Sequence, residues 1–289
     1  MTKYGMVIDL SRCSGCQSCA VACKVENNEP LGIWWNRVLT VGGKEIDQPS
    51  GDFPNVQMNY LPLACQHCDD APCVKVCPVD ATYKRSDGTV QVDYDRCIGC
   101  RYCMAACPYG VRTFNWADPQ YSPGITFPTG HQGDHYDPLA GDDTNRLVFT
   151  SSRPRGVVEK CSFCVQRIDS GVEPFCIQVC PTGARIFGDL DDDSSKISTV
   201  VRNGRATQLL PELGTNPKVY FVPPYVQKQL VPSTSNSPPS ELVPSPLIIA
   251  QAEDVGGYIP SFSPASGGPI EALPPPPGLV RSQDREEVP

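Results

Sequence analysis

Histidine is nearly absent from this chain, with 3 among 289 residues, and none directly follows a Cys-x-x-Cys pair. That excludes covalent attachment of a c-type haem. Charge is also sparse: 19% of residues are charged and the net charge is −8. No basic stripe is present, which argues against a nucleic-acid partner. Long apolar runs are missing, and the best C-terminal one, PLIIAQA at 246–252, is far too short to span a bilayer. Membrane association must therefore come through a partner. The opening MTKYGMVIDLSRC puts an aspartate at 9 and a cysteine at 13, so no signal peptide is expected there. There is no phosphate-cradling or flavin-binding glycine motif and no nucleophile–base constellation. Substrate chemistry by this chain alone is not expected.

What the chain has in abundance is cysteine (16) and proline (31). The densest stretch, Cys65 to Pro108, reads CQHCDDAPCVKVCP, a spacer, then CIGCRYCMAACP. Cys97, Cys100 and Cys103 are three apart, Cys107 follows four later, and Pro108 comes next. This is the Cys-x2-Cys-x2-Cys-x3-Cys-Pro run in which three thiolates hold one [4Fe-4S] cluster and the fourth ligates its neighbour. One helical turn is expected to put Cys103 and Cys107 on a shared face serving both. Cys65, Cys68, Cys73 and Cys77 repeat the layout with two extra residues before the third cysteine. Asp87-Gly88, flanked by Thr82, Tyr83, Thr89, Val90 and Val92, reads as a hairpin turn between the two runs. The natural pairing is Cys65, Cys68, Cys73 and Cys107 on one cluster, and Cys97, Cys100, Cys103 and Cys77 on the other.

The remaining cysteines form two more quartets: Cys13, Cys16, Cys19 and Cys23, followed by Lys24, and Cys161, Cys164, Cys176 and Cys180, followed by Pro181. Because the central unit is self-sufficient, the outer groups should pair with each other. That puts Cys13, Cys16, Cys19 and Cys180 on one cluster and Cys161, Cys164, Cys176 and Cys23 on another. The expected fold class is α+β: two nested ferredoxin-like units, with short strands, short helices and long loops. Structural zinc is the first rival, but zinc sites use two separated pairs, whereas three quartets here crowd into 11 to 13 residues. A disulfide framework is the second, and it gives no reason for proline after the fourth cysteine in three groups of four. Thiolates must meet the iron, so cluster assembly needs a reducing compartment.

Residues 4–10 read as a strand, 19–26 as a helix carrying Cys19 and Cys23, and the 31–61 segment as strands covering clusters, with Trp34 and Trp35 expected to be buried. The stretch 109–155 reads as a solvated insertion loop, in preference to a metal site built on His131 and His135. His67, between two ligands, either tunes a cluster by hydrogen bonding or packs. RIF after Cys180 predicts a strand, and DDDSSKISTVVRNG a helix capped by its acidic residues. From Val222 onward 15 of 68 residues are proline, a composition that cannot fold alone. It is either a disordered tail or an extended strap across a partner, and its apolar islands LVPSPLII and YIPSFSP support the strap. The expected divisions are 1–64 (first group and cover strands), 65–115 (inner unit), 116–222 (insertion and fourth group) and 223–289 (proline-rich tail).

The order of the four groups, with CIGCRYCMAACPYGVR, RPRGVVEKCSFCVQRI and CPTGARIFGDL, resembles the iron–sulfur electron-transfer subunits of the dimethyl sulfoxide reductase superfamily. The nearest likeness is to the polysulfide, tetrathionate, thiosulfate and sulfite oxidoreductase members, over about Lys3 to Val222. The resemblance implies an electron relay with four [4Fe-4S] clusters. It would run between a molybdenum or tungsten bis-pterin catalytic subunit and an integral-membrane quinone-binding subunit. It implies the catalytic end at Cys13, Cys16 and Cys19 and the quinone end at Cys97, Cys100 and Cys103. The same type of subunit also serves hydrogenases, formate dehydrogenases and quinol-oxidising respiratory complexes. A peripheral, membrane-associated position follows, either cytoplasmic or exported folded with a twin-arginine-bearing partner. Lys24 in place of proline is expected to affect a helix start and leave ligation intact.

Overall fold

The computed structural model describes residues 2–42, 48–120, 134–139 and 145–224. The chain starts with β1 (Tyr4–Asp9) and α1 (Ser18–Glu26), then β2 (Arg37–Val41) and β3 (Asn59–Leu63). Next come α2 (Pro72–Lys75), β4 (Thr82–Lys84), β5 (Val90–Val92), α3 (Tyr102–Ala105) and β6 (Thr113–Phe114). They are followed by β7 (His135–Tyr136), β8 (Leu147–Phe149), β9 (Val158–Glu159), α4 (Val165–Ile168) and α5 (Phe175–Gln178). Last are β10 (Arg185–Asp189), α6 (Lys196–Arg202), β11 (Thr207–Gln208) and β12 (Val219–Val222). Short helices and short strands alternate, an α+β fold.

Helix length follows from proline. In three groups a proline (78, 108, 181) comes directly after the fourth cysteine. Lacking an N–H and restricting the residue before it, it cannot continue a helix. α2, α3 and α5 accordingly stop after four residues each. Cys77, Cys107 and Cys180 then fold back in turns, their N–H groups donating to Val74, Met104 and Ile177 carbonyls at 3.2 Å each. So Cys103 and Cys107 do not share one helix face, contrary to expectation. Lys24 lets α1 run nine residues, three beyond Cys23. The missing proline therefore acts at the end of the helix, not at its start as expected.

The main sheet has the order β10-β1-β12-β11, with β1 antiparallel to β10 and parallel to β12. It joins the first residues of the chain to those just after the fourth cysteine group, with Tyr4 opposite Asp189 and Met6 opposite Phe187. Strand side chains alternate between faces, and here the alternation sorts the core. Val7 and Val222 pack with Ile197 of α6 on one face. Met6, Ile8, Val219 and Phe221 join the cysteine-rich core on the other.

The β4–β5 hairpin forms as read, Thr82 opposite Val92, with the Asp87 carboxylate accepting from Thr89 N–H and Oγ1 at 2.8 and 2.7 Å. Three expectations change. Ser195, not an aspartate, caps α6, its hydroxyl accepting the Ser198 N–H at 3.2 Å, and the first turn holds no acidic residue. The tryptophans divide: Trp35 is buried, while Trp34 is 39% exposed beneath the Lys24 ammonium. The described part of 109–155 is anchored, because Asp137 and Arg146 are buried and His135 Nε2 lies 2.8 Å from Asp169. His131 and the proline-rich tail from 225 lie outside the described residues.

Candidate metal centres

The first Cys-x-x-Cys loop of each of the four groups turns the same way. The residue before the second cysteine is left-handed in every one: Gly15 (φ 69°), His67 (φ 43°), Gly99 (φ 70°) and Phe163 (φ 58°). Glycine adopts this conformation without strain, and at Gly99 a side chain would also collide with the Gly156 carbonyl oxygen. His67 and Phe163 hold it against the usual preference of side-chain-bearing residues.

All 16 cysteines are free thiols. Cys13, Cys16, Cys19 and Cys180 line one cavity. Cys23, Cys161, Cys164 and Cys176 line another, together with Cys65 of the central unit. Asn27 Nδ2 lies 3.5 Å from Cys23 Sγ and 3.8 Å from Cys164 Sγ, so these two sulfurs, far apart in sequence, share one donor. In the central unit Cys68 interacts electrostatically with Cys65, Cys73 and Cys107, and Cys103 with Cys97 and Cys73. Cys77 Sγ accepts the Thr82 N–H at 3.4 Å, and Cys100 is exposed. Among the described residues no three His, Cys, Asp or Glu side chains close on a single ion. The two outer quartets instead border cavities. An all-thiol donor set spread around a cavity fits a [4Fe-4S] cube better than one tetrahedral zinc.

Electrostatics set a condition on any such group. Burial, then neighbouring thiolates, pushes the Cys68 thiol up to about 12, and burial with Cys176 and Cys65 does the same at Cys161. Cys23 and Cys164 are raised well above the ordinary thiol range by burial first, then by Glu29 at Cys23 and by the Cys176 and Cys161 thiolates at Cys164. Exposed Cys16 goes the other way, lowered by hydrogen bonds from Ser18. Deep thiolates here need positive charge beside them, and binding metal displaces their protons.

Part of that charge comes from residues that the cysteine pattern alone does not single out. The buried Arg185 guanidinium lies 3.4 Å from Cys19 Sγ and 3.8 Å from Cys176 Sγ. Arg112 is buried beside Cys73 and Cys103, and Lys160 beside Cys161 and Cys65. A signal for the two arginines was present: CPYGVR and CPTGAR place Arg112 and Arg185 at the same offset from the fourth cysteine of their groups.

A family model described as a 4Fe-4S dicluster domain matches residues 56–122 and 147–190. A Halobacterium salinarum protein named as a dimethyl sulfoxide reductase iron–sulfur subunit is 52% identical over 228 residues, covering 77% of this chain and 79% of the relative. The arsenate respiratory reductase iron–sulfur subunit ArrB of a Shewanella species is 41% identical over 235 residues, covering 76% of this chain and 96% of the relative. The iron–sulfur cluster-binding subunit of a menaquinone reductase from Nitratidesulfovibrio vulgaris is 38% identical over 242 residues, covering 76% and 88%.

Proposed function

The chain belongs to the iron–sulfur subunits of the dimethyl sulfoxide reductase family, and from that premise we propose a four-cluster relay between a molybdenum or tungsten bis-pterin subunit and a quinone-binding membrane subunit. It is an electron-transfer subunit, not a catalytic one. When bound, each [4Fe-4S] cluster supplies a one-electron couple. The ligand sets are Cys13, Cys16, Cys19 and Cys180; Cys161, Cys164, Cys176 and Cys23; Cys65, Cys68, Cys73 and Cys107; and Cys97, Cys100, Cys103 and Cys77. The inner unit, 65–115, sits between two parts of an outer one, 1–64 and 116–222. Among the described residues no helix is long and apolar enough to cross a membrane, in keeping with attachment through partners.

One observation carries the direction. The two exposed cysteines are Cys16 and Cys100, one in the first group and one in the third. A relay needs cluster edges near the surface at its two ends and insulation between them. Beside Cys100, Ile98 (63%), Tyr102 (59%) and Trp116 (63%) expose apolar surface, and the Arg101 guanidinium lies 4.5 Å from the Trp116 ring centroid. That surface suits an apolar membrane subunit. Around Cys16 the exposed neighbours in sequence are Ser11, Arg12, Ser14 and Gln17, with Val21 one helical turn further on, a mainly polar surface that suits a water-soluble catalytic subunit.

Anaerobically purified protein should hold about 16 iron and 16 sulfide per chain, four per quartet. About eight iron with stoichiometric zinc would overturn the count. Co-purification identifies the host: a large pterin-binding chain supports this reading. The menaquinone reductase relative favours a second host, a quinol-linked respiratory complex, for which a multihaem cytochrome would co-purify instead.

A further inference from the structure

We propose that Arg185, Lys160 and Arg112 form a series of buried cations, one at each junction between successive ligand sets, each setting the reduction potentials of the two clusters it separates. The proposal rests on the four-cluster reading above.

Arg185 stands at the first junction. Its Nη2 lies 3.4 Å from Cys19 Sγ and 3.0 Å from Asn36 Oδ1, and its Nη1 lies 3.8 Å from Cys176 Sγ and 3.4 Å from Met6 Sδ. Cys19 and Cys176 belong to different sets, so one guanidinium touches a sulfur of each. Lys160 stands at the second junction. Its ammonium donates to the Cys161 carbonyl at 2.9 Å and to the Val90 carbonyl, and it interacts with the Cys65 and Cys161 sulfurs. Arg112 stands at the third. Its Nη1 is 3.3 Å from Thr82 Oγ1, and Thr82 N–H in turn donates to Cys77 Sγ. Its Nη2 is buried without a hydrogen-bond partner, and the guanidinium interacts electrostatically with Cys73 of one set and Cys103 of the next.

Three buried cations are costly unless negative charge answers them. Burial works against each; at Arg112 the Cys73 and Cys103 thiolates more than offset it, and at Arg185 the Cys176 and Cys19 thiolates do. Lys160 ends below its ordinary value, burial and the neighbouring Arg112 charge outweighing Cys65 and Cys161, which makes it the weakest member. Reduction adds a negative charge to a cluster. A fixed cation in low dielectric favours the reduced form of whatever stands on either side. Because each cation faces two sets, its removal should move two potentials, not one.

The test is a potentiometric electron paramagnetic resonance titration of the holoprotein. Arg185→Gln should lower the two couples of the Cys13 and Cys161 sets, and Arg112→Gln the two of the Cys65 and Cys97 sets. Lys160→Met should lower one couple from each of those pairs. The expected size is a change of about tenfold in the reduced-to-oxidised ratio at fixed potential, equivalent to about 59 mV for a one-electron couple. Should Arg185→Gln lose iron, Arg185→Lys keeps the charge and must keep both potentials. Shifts in all four couples, in none, or in Arg185→Lys as large as in Arg185→Gln would overturn the proposal. Fewer than four couples in the wild-type protein would instead overturn the four-cluster reading, whatever the variants do.

Discussion

His67 stacks on Phe163, ring centroids 3.7 Å apart and planes 18° from parallel. Each is the left-handed residue of its own Cys-x-x-Cys loop, so the contact ties the second cysteine group to the fourth. Both nitrogens of His67 are used: Nδ1 accepts the Val90 N–H at 3.0 Å, and Nε2–H donates to the Cys161 carbonyl at 3.0 Å. Burial, with Lys160 and Lys218 nearby, keeps the ring neutral. The choice between tuning and packing falls to packing, with hydrogen bonds to backbone groups and not to sulfur. His67→Ala strands the buried Val90 N–H, at about 1–3 kcal/mol, leaves the Cys161 carbonyl with Lys160 as its remaining donor, and removes the stack. The variant should lose its cluster absorbance at a clearly lower temperature than wild type. His67→Phe keeps a ring without the hydrogen bonds and should fall between the two.

A second prediction concerns Glu159. Its side chain is fully buried, ion-paired with Arg153 at 3.0 Å, and accepts from Trp35 Nε1 at 2.9 Å and Asn115 Nδ2 at 2.5 Å. Breaking a buried pair on one side leaves an uncompensated charge, worth roughly 3–5 kcal/mol. Glu159→Gln should therefore lower the denaturant midpoint strongly. Asp80→Asn removes a partner of Arg146 whose own side chain is 60% exposed, and should cost no more than about 1 kcal/mol. Equal effects in the two variants would contradict this account of burial.

A third prediction separates backbone conformation from crowding. Gly99 and Gly110 are both left-handed, at φ 70° and 58°. A side chain at Gly110 meets nothing within 4 Å, whereas at Gly99 it runs into the Gly156 carbonyl and the Phe114 ring. Gly110→Ala should cost only the conformational penalty, about 1–2 kcal/mol. Gly99→Ala has to displace the loop bearing Cys97 and Cys100, so purified protein should carry less iron. Full iron content in Gly99→Ala would show that the loop can move aside.

Local rules make the cysteine loops, the Asp87-Gly88 hairpin and the strand before Cys13 legible, because spacing, turn residues and β-branched runs act over a few positions. The cause of the longer α1, Lys24 after Cys23, is equally local, but an absent proline frees the end of a helix and not its start. Other features are hidden because they depend on distant partners. Trp35 is buried through Glu159 and Arg153 and Trp34 is not, a distinction no local window contains. His135 looks solvated among Gly, Asp and Pro, yet it meets Asp169 from another part of the chain. The acidic run before α6 resembles a cap, but Asp192 turns to hold Ser194, Asp193 pairs with Arg202, and the cap falls to Ser195. Arg112 and Arg185 are readable only by laying CPYGVR over CPTGAR.

The last prediction tests the crossed ligation. Cys23 stands in the first group by sequence, but it lines the cavity of Cys161, Cys164 and Cys176, and Asn27 reaches both its sulfur and that of Cys164. Cys23→Ser should therefore damage the cluster of the fourth group and spare the one of Cys13, Cys16 and Cys19. By the same logic Cys77→Ser should damage the cluster of Cys97, Cys100 and Cys103 and spare that of Cys65, Cys68 and Cys73. A cube deprived of one thiolate tends to lose the iron it held, so a new [3Fe-4S] resonance is expected in each variant, with three unaltered [4Fe-4S] couples beside it. The functional consequences differ. Cys77→Ser should impair quinone-linked turnover of the complex while turnover with an artificial dye at the catalytic subunit persists. Cys23→Ser, nearer the catalytic end, should interrupt quinone-linked turnover as well, with the cluster of Cys13 still reducible from the catalytic side. If Cys23→Ser instead abolishes the couple of Cys13, Cys16 and Cys19, ligation is local to each group and the nesting of the two units fails with it.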